Sequence, residues 1–327
     1  MPKIKMNRIQ IETLLSIAIF ILVPYTDASS GTNTRSDYGV PKLENTTFVS
    51  NTLIKDPFIN TRFCNTLGFG QTVNLETPLK KILGEDVPGL TGEVYYAILD
   101  FEYQYAVREW MAIWGEIRIN GRFGNEMQAL LTQGATAFGG FQLGWLFRLW
   151  QTERHMLSLS ADVNKTVTTV IDIYGFLKTA IEEGEISEQN KIIRDVPILT
   201  TALGLRYAHA ISDMFGLVAS GRVAYGESIR QDEGEKFYPS LGLTLHMDLK
   251  NTEDIPIGFV TGYKYSFVAD NGDGKLSEAQ SILFNISFTG RADLNLGLDI
   301  QYQQLPMLGF DNKVEFITGQ INLSYYF

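Results

Sequence analysis

The 327-residue chain sets 27 Lys and Arg against 37 Asp and Glu, a net charge of −10 at pH 7. That balance argues against nucleic-acid binding, and the single cysteine, Cys64, excludes an internal disulfide framework and a Cys-based zinc site. After residue 28 no stretch is long and apolar enough to span a bilayer as a helix, which takes about 20 residues.

The chain opens with a basic segment, Lys3, Lys5 and Arg8, followed by the apolar run Leu14 to Val23. Pro24 interrupts it, and Thr26-Asp27-Ala28 places small residues where a signal peptidase cuts. Residues 1–28 are therefore expected to be a signal peptide. Residues 29–60 are polar and turn-rich with no sustained period, which predicts an N-terminal arm, either flexible or tucked into a lumen as a plug. Residues 61–327 form the remaining domain.

Within it, about twelve segments alternate polar and apolar residues, each long enough to cross a bilayer as a tilted strand of about 9–11 residues. Their spans are roughly 62–75, 93–106, 110–123, 135–150, 154–163, 197–209, 213–226, 237–249, 256–268, 280–290, 292–303 and 314–327. Short links follow the even-numbered segments (Val107 to Glu109, Gln151 to Glu153, Ala210 to Ser212, Asn251 to Ile255, Gly290-Arg291). Longer links follow the odd-numbered ones: 76–92, 124–134, 164–196, 227–236, 269–279 and 304–313. An even strand number brings both ends of a barrel to one side, and the first, third and fifth links must then be long. They are.

The faces separate cleanly. Leu294, Leu296, Leu298, Ile300 and Tyr302 oppose Asp293, Asn295, Gly297, Asp299 and Gln301; Ile282, Phe284, Ile286 and Phe288 oppose Ser281, Asn285, Ser287 and Thr289. Leu241, Leu243, Leu245 and Met247 oppose Ser240, Gly242, Thr244 and His246. The polar face is rich in Ser, Thr, Asn, Gly and Gln rather than Lys and Glu, which suits a crowded wet lumen better than a solvated sheet. Tyr95, Tyr103, Tyr105, Tyr207, Tyr225, Tyr263, Tyr265 and Tyr325 lie on the apolar face, many near segment ends, as an aromatic girdle requires.

In the final segment Ile317, Ile321, Leu323, Tyr325 and Phe327 share one face, and Thr318, Gln320, Asn322 and Ser324 the other. With the N-terminal segment and the strand rhythm, this strand resembles the closing strand of bacterial outer-membrane β-barrels, a superfamily that includes porins and other channels. The resemblance implies an all-β fold: a transmembrane, antiparallel, up-and-down barrel of about twelve strands with short periplasmic turns. It also implies residence in the outer membrane of a Gram-negative bacterium, contact with outer-membrane lipid and lipopolysaccharide, and an assembly signal at Tyr325 and Phe327 read by the barrel assembly machinery.

Charges on the lipid face cost about 2–4 kcal/mol near mid-membrane, so the ionisable strand residues are expected to point inward. The candidate pore-lining set is Asp100, Glu102, Glu116, Arg118, Arg122, Arg148, Arg206, Arg222, Lys264, Asp293 and Asp299. Asp100 and Asp299 fall near mid-height on the second and eleventh strands, and Arg118, Arg222 and Lys264 on the third, seventh and ninth. This predicts a transverse field acting on small polar or charged solutes in a passive, narrow channel; the alternative is that the charges pair and stiffen the wall.

The link 164–196 repeats Val167, Val170, Ile171, Tyr174, Leu177 and Ile181 at helical spacing, predicting a partly helical loop, while its β-branched residues allow an extended strand instead. Asp270 to Glu278 resembles a partial EF-hand loop, but Ala269 stands where the first Asp belongs and Gln280 replaces the bidentate Glu. The expectation is an Asp- and Gly-rich turn, with Asn271 and Asp273 the candidates for a shared divalent cation and no dedicated metal site. No cofactor is expected. A rim-active lipid hydrolase needs a serine and a histidine on one outward face. His155 and Ser158 fall on opposite faces, and Thr244-His246-Asp248 points into the lumen, so no catalytic residue is assigned. The alternative functions are that hydrolase and a closed barrel with a structural or surface-binding role.

Overall fold

Alternation of polar and apolar side chains at period two makes every strand two-faced, and the computed structural model closes twelve such strands on themselves. It describes residues 39–73, 75–77, 90–92, 94–123, 136–171, 193–227, 234–268, 276–306 and 313–327, all within one unit, Tyr38–Phe327. Two short strands, β1 (Lys42–Leu43) and β2 (Thr46–Thr47), form a hairpin in the N-terminal arm. The barrel strands are β3 (Arg62–Val73), β6 (Tyr95–Arg108), β7 (Met111–Phe123), β8 (Thr136–Gln151), β9 (His155–Ile171), β10 (Ile193–Ala210), β11 (Phe215–Gly226), β12 (Lys236–Asp248), β13 (Ile257–Val268), β14 (Ser277–Phe288), β15 (Leu294–Pro306) and β16 (Lys313–Tyr326). Between β3 and β6, β4 (Leu75–Thr77) pairs with β5 (Leu90–Gly92). Each barrel strand pairs antiparallel with its sequence neighbour, and β16 pairs with β3 to close the ring.

All twelve expected segments are strands, with ends shifted by a few residues. The one substantial difference is in the fifth link. β9 runs to Ile171 and β10 begins at Ile193, so Val167, Val170 and Ile171 belong to a strand and not to a helix. β-branched residues, stiff at χ1 and suited to a pleated surface, outweigh the helical spacing there. Residues 172–192, with Tyr174, Leu177 and Ile181, lie outside the described residues, as do 1–38. The short link after β12 holds one helical turn, α1 (Lys250–Glu253).

Burial is inverted relative to a water-soluble sheet. Asn285, Asn295, Asp299 and Ser324 are 0% exposed, while Leu241, Ile300 and Ile321 are 67%, 53% and 53% exposed. The apolar faces of β12, β14, β15 and β16 all look outward, as the alternation requires. Only an apolar solvent makes that arrangement favourable, because each outward aliphatic side chain gains about 1.5–3 kcal/mol on leaving water.

The lumen has two storeys. At the short-turn end the inward side chains include Trp114, Leu146, Met156, Val218, Val260 and Leu283, which pack on Phe48, Val49, Leu53, Ile54, Phe58 and Ile59 of the arm. Toward the other end the inward faces carry polar and charged residues, with a small apolar patch of Val94, Val314 and Phe316 near the rim. The sequence reading of a polar lumen is therefore correct for one storey and incomplete for the other.

Candidate functional site

Residues 40–60 descend into the barrel from the short-turn end, and side chains from both ends of the segment hold them there. The Val40 amide donates to the Ala292 carbonyl (2.6 Å), Arg154 pairs with Glu44 (2.6 Å), and Thr46 donates to the Ser212 carbonyl. Further along, the Ser158 hydroxyl donates to the Pro57 carbonyl (2.7 Å), and Gln104 donates to the Phe58 and Asn60 carbonyls (2.9 and 3.0 Å).

The apolar side chains of the arm rest on inward-facing glycines. A Cβ at Gly216 would lie 2.7 Å from Phe48, at Gly258 2.8 Å from Val49, at Gly242 2.5 Å from Ile54, and at Gly262 3.0 Å from Leu53. These four positions on β11, β12 and β13 are seats for the arm; a side chain on them would occupy its volume. Replacing Gly242 with Val is expected to displace Ile54, to cost about 1–3 kcal/mol by overpacking, and to expose the arm to protease. Unchanged proteolysis of residues 40–60 in the folded variant counts against this packing account.

The charged contacts explain why the arm stays. Glu102 on β6 and Glu116 on β7 are direct cross-strand partners, a placement in which like charges repel. The Lys55 ammonium reaches both carboxylates and lies 3.9 Å from the Trp114 ring centroid. Arg118, opposite Asp100 on the same strand pair, bonds Asp100 (3.2 Å) and Glu116 (2.6 Å). Arg62 pairs with Asp56 and with Glu102 (3.1 Å), and Arg206 donates to the Asp56 carbonyl (3.2 Å). On β15, a quarter-turn around the ring from β6, Asp299 accepts from the Thr52 amide (3.1 Å) and hydroxyl (2.6 Å), from Asn285, and from Asn322 (2.9 Å). Asp162 is held by Gln142 (2.7 Å) and Arg222 (2.6 Å).

Of the pore-lining candidates, Asp100, Glu102, Glu116 and Arg118 thus meet in one network with arm residues, Arg206 joins it through a backbone oxygen, and Arg222 sits with Asp162. Arg148 donates to Gln151 (2.5 Å) near the short turn. Lys264 faces inward with no described acceptor on its ammonium. Asp293 requires correction: it lies in the β14–β15 turn, not on the lumen wall, because β15 begins one residue later. There Arg291 hydrogen-bonds it at 2.6 Å and holds its carboxyl below the usual range. The transverse field is also corrected, since Asp100 and Asp299 are engaged by close partners and do not face the bases across open space. The backbone of Arg122 pairs with Thr136, but its side chain lies outside the described residues, as do Asn271 and Asp273. Tyr325 and Phe327 stack edge to face at 4.9 Å on the outer surface.

Lys55, Asp56 and Thr52 were not identified from the sequence as part of any site. A signal existed. The doublets Phe48-Val49, Leu53-Ile54 and Phe58-Ile59 recur every five residues, and Lys55-Asp56 are the only charges between Glu44 and Arg62. An apolar repeat matching neither strand nor helix marks a segment that packs without regular secondary structure.

No serine–histidine arrangement forms among the described residues. Ser158 is engaged by Pro57, and His155 lies on the outer face against Tyr207 (2.7 Å) and His209. His246 bonds Thr244 (2.9 Å) beneath Phe48, while Asp248 is bonded by Thr289 (2.8 Å) rather than by the imidazole.

Among solved structures, an outer-membrane channel of Pseudomonas putida F1 superposes with a TM-score of 0.53 at 10% identity, covering 91% of this chain and 100% of that one. The fold is that of a bacterial outer-membrane β-barrel. Looser likenesses, in outline only, are the translocator domain of the autotransporter NalP from Neisseria meningitidis (TM-score 0.47, 10% identity, 83% and 90% covered) and the P. putida toluene transporter TodX (0.44, 12%, 84% and 93%). No family model and no curated protein matches the sequence.

Proposed function

We propose that the protein is a passive channel of the Gram-negative outer membrane for small polar or charged solutes, narrowed at its periplasmic end by the N-terminal arm. The observation that carries this reading is the upper storey of the lumen, where Asp100, Arg118, Gln142, Asp162, Arg222 and Lys264 line the wall. Asp100 with Arg118 and Asp162 with Arg222 and Gln142 can also stiffen the wall, whereas the inward Lys264 has no described acceptor and supports the channel reading over a purely structural one. Twelve strands lie between the eight-stranded barrels filled by their own side chains and the 16–18-stranded porins with wide aqueous channels. Hence the expectation is a small conductance governed by side-chain charge. Lipid, lipopolysaccharide and the assembly machinery are the partners this setting brings.

The test is single-channel recording from folded protein in a planar bilayer, with reversal potentials in a salt gradient. Discrete small steps with an ion preference are expected. Protein that is folded by its resistance to denaturation yet never conducts, under any applied voltage, overturns the reading.

A further inference from the structure

We infer that Lys264 is the centre of an oxyanion-binding site in the lumen, one that takes a small carboxylate or phosphate. Its role as a station for solute rests on the channel reading; its chemistry does not.

Lys264 differs from Arg62, Arg118, Arg148, Arg206 and Arg222 in having no described hydrogen-bond acceptor at all. Asp100, Glu102, Glu116 and Asp162 each bond a cation, and Asp299 is surrounded by amide and hydroxyl donors. Among the described residues no carboxylate, carbonyl or hydroxyl accepts from the Lys264 ammonium. Register fixes what stands beside it. Gly242 on β12 and Ser281 on β14 are its direct partners, and one step farther from the short turns Arg222, Ser240 and Ser266 form a row across β11, β12 and β13. None of them is acidic. The charged groups that act on Lys264 most strongly are the cations Arg222, Arg118 and Lys55.

The arm forms the floor. Ile54 fills the space over Gly242 and Leu53 that over Gly262, so the surface beneath Lys264 is apolar and its charge cannot be relieved from that side. A partly desolvated cation among like charges is unfavourable until an anion completes it. The small side chains of Ser240, Ser266 and Ser281 leave room for that anion and can donate hydroxyl hydrogens to it. Lysine contributes a compact charge with three rotatable donors, and Arg222 keeps donors beyond the two committed to Asp162. The site thus offers the unpartnered Lys264 ammonium, the remaining donors of an Arg222 already paired with Asp162, and several hydroxyls, which favours an oxyanion over a sugar or a cation.

The experiment is calorimetric titration of the folded protein in detergent micelles with inorganic phosphate and, separately, with acetate, for wild type, Lys264→Gln and Lys264→Arg. Saturable binding of at least one anion is expected in wild type, weakened at least tenfold in Lys264→Gln and largely kept in Lys264→Arg. The arm that binds tells whether phosphate or carboxylate is preferred. Absence of saturable binding to both anions in wild type overturns the inference, and so does undiminished binding in Lys264→Gln. Binding is read without current, so a folded, silent protein that still binds anion through Lys264 would sink the channel reading and leave the site standing.

Discussion

Replacing Lys55 with glutamine is expected to raise single-channel conductance several-fold and to lower stability by about 2–4 kcal/mol, because it strips the shared cation from two buried carboxylates. Glu102 and Glu116 face each other across adjacent strands with side chains 14% and 9% exposed. Arg62 and Arg118 each relieve one of them, but only Lys55 bridges both. Without the bridge the arm loses its strongest hold on that wall, and the carboxylates gain by drawing water into the space it fills. Two controls sharpen the result. Lys55→Arg should keep the arm in place, and adding Glu116→Gln to Lys55→Gln should recover most of the lost stability by removing one of the opposed charges. Urea unfolding in micelles and bilayer recording supply the two readouts. Wild-type values in both for Lys55→Gln would mean that the arm is held by its apolar contacts alone.

Ile300→Arg is expected to destabilise the folded barrel by about 2–4 kcal/mol, whereas Tyr325→Arg should cost no more than about 1 kcal/mol. Both positions face outward, at 53% and 39% exposure, but Ile300 sits mid-strand on β15 and Tyr325 lies one residue from the end of β16 beside the short turns. The depth dependence distinguishes a membrane barrel from a soluble one, in which an arginine at either exposed site is nearly neutral. Equal and small effects on unfolding in lipid vesicles would contradict the membrane-facing assignment.

How much of this was legible in the sequence follows from which forces leave a periodic trace. The strands were legible because a wall between two solvents forces alternation, as in Leu294 to Tyr302 or Ile317 to Phe327. Strand ends were less so; β9 and β10 continue past the point where the alternation stops being clean. The inward set was reasoned from the cost of charge in lipid; Asp100, Glu116, Arg118 and Arg222 make their contacts with other charged side chains of the barrel strands. Asp293 was misplaced because a strand pattern carries no mark for the residue at which the chain begins to turn. The partners of those charges were not legible, since a pairing such as Glu102 with Glu116, or Lys55 with both, joins residues distant in the chain. The glycines on β11, β12 and β13 read as lumen filler, and only the arm shows what their missing side chains make room for.

The closing seam has a consequence for how the molecule is made. β3 pairs with β6 along one edge, but its other edge can be closed only after β16 exists, so that edge of residues 62–73 waits for residues 315–326 while everything between is laid down. The segment immediately preceding β3 ends up inside the ring, bonded to β6, β7, β9 and β15. A ring that zipped shut first would have to admit that segment afterwards through a crowded interior. The sparing route lets residues 40–60 settle on the concave face of an unfinished sheet, with Lys55 drawing β6 and β7 together early. The internal segment then acts as a mandrel around which the wall is curved, and its removal should slow closure even where the finished barrel tolerates its loss.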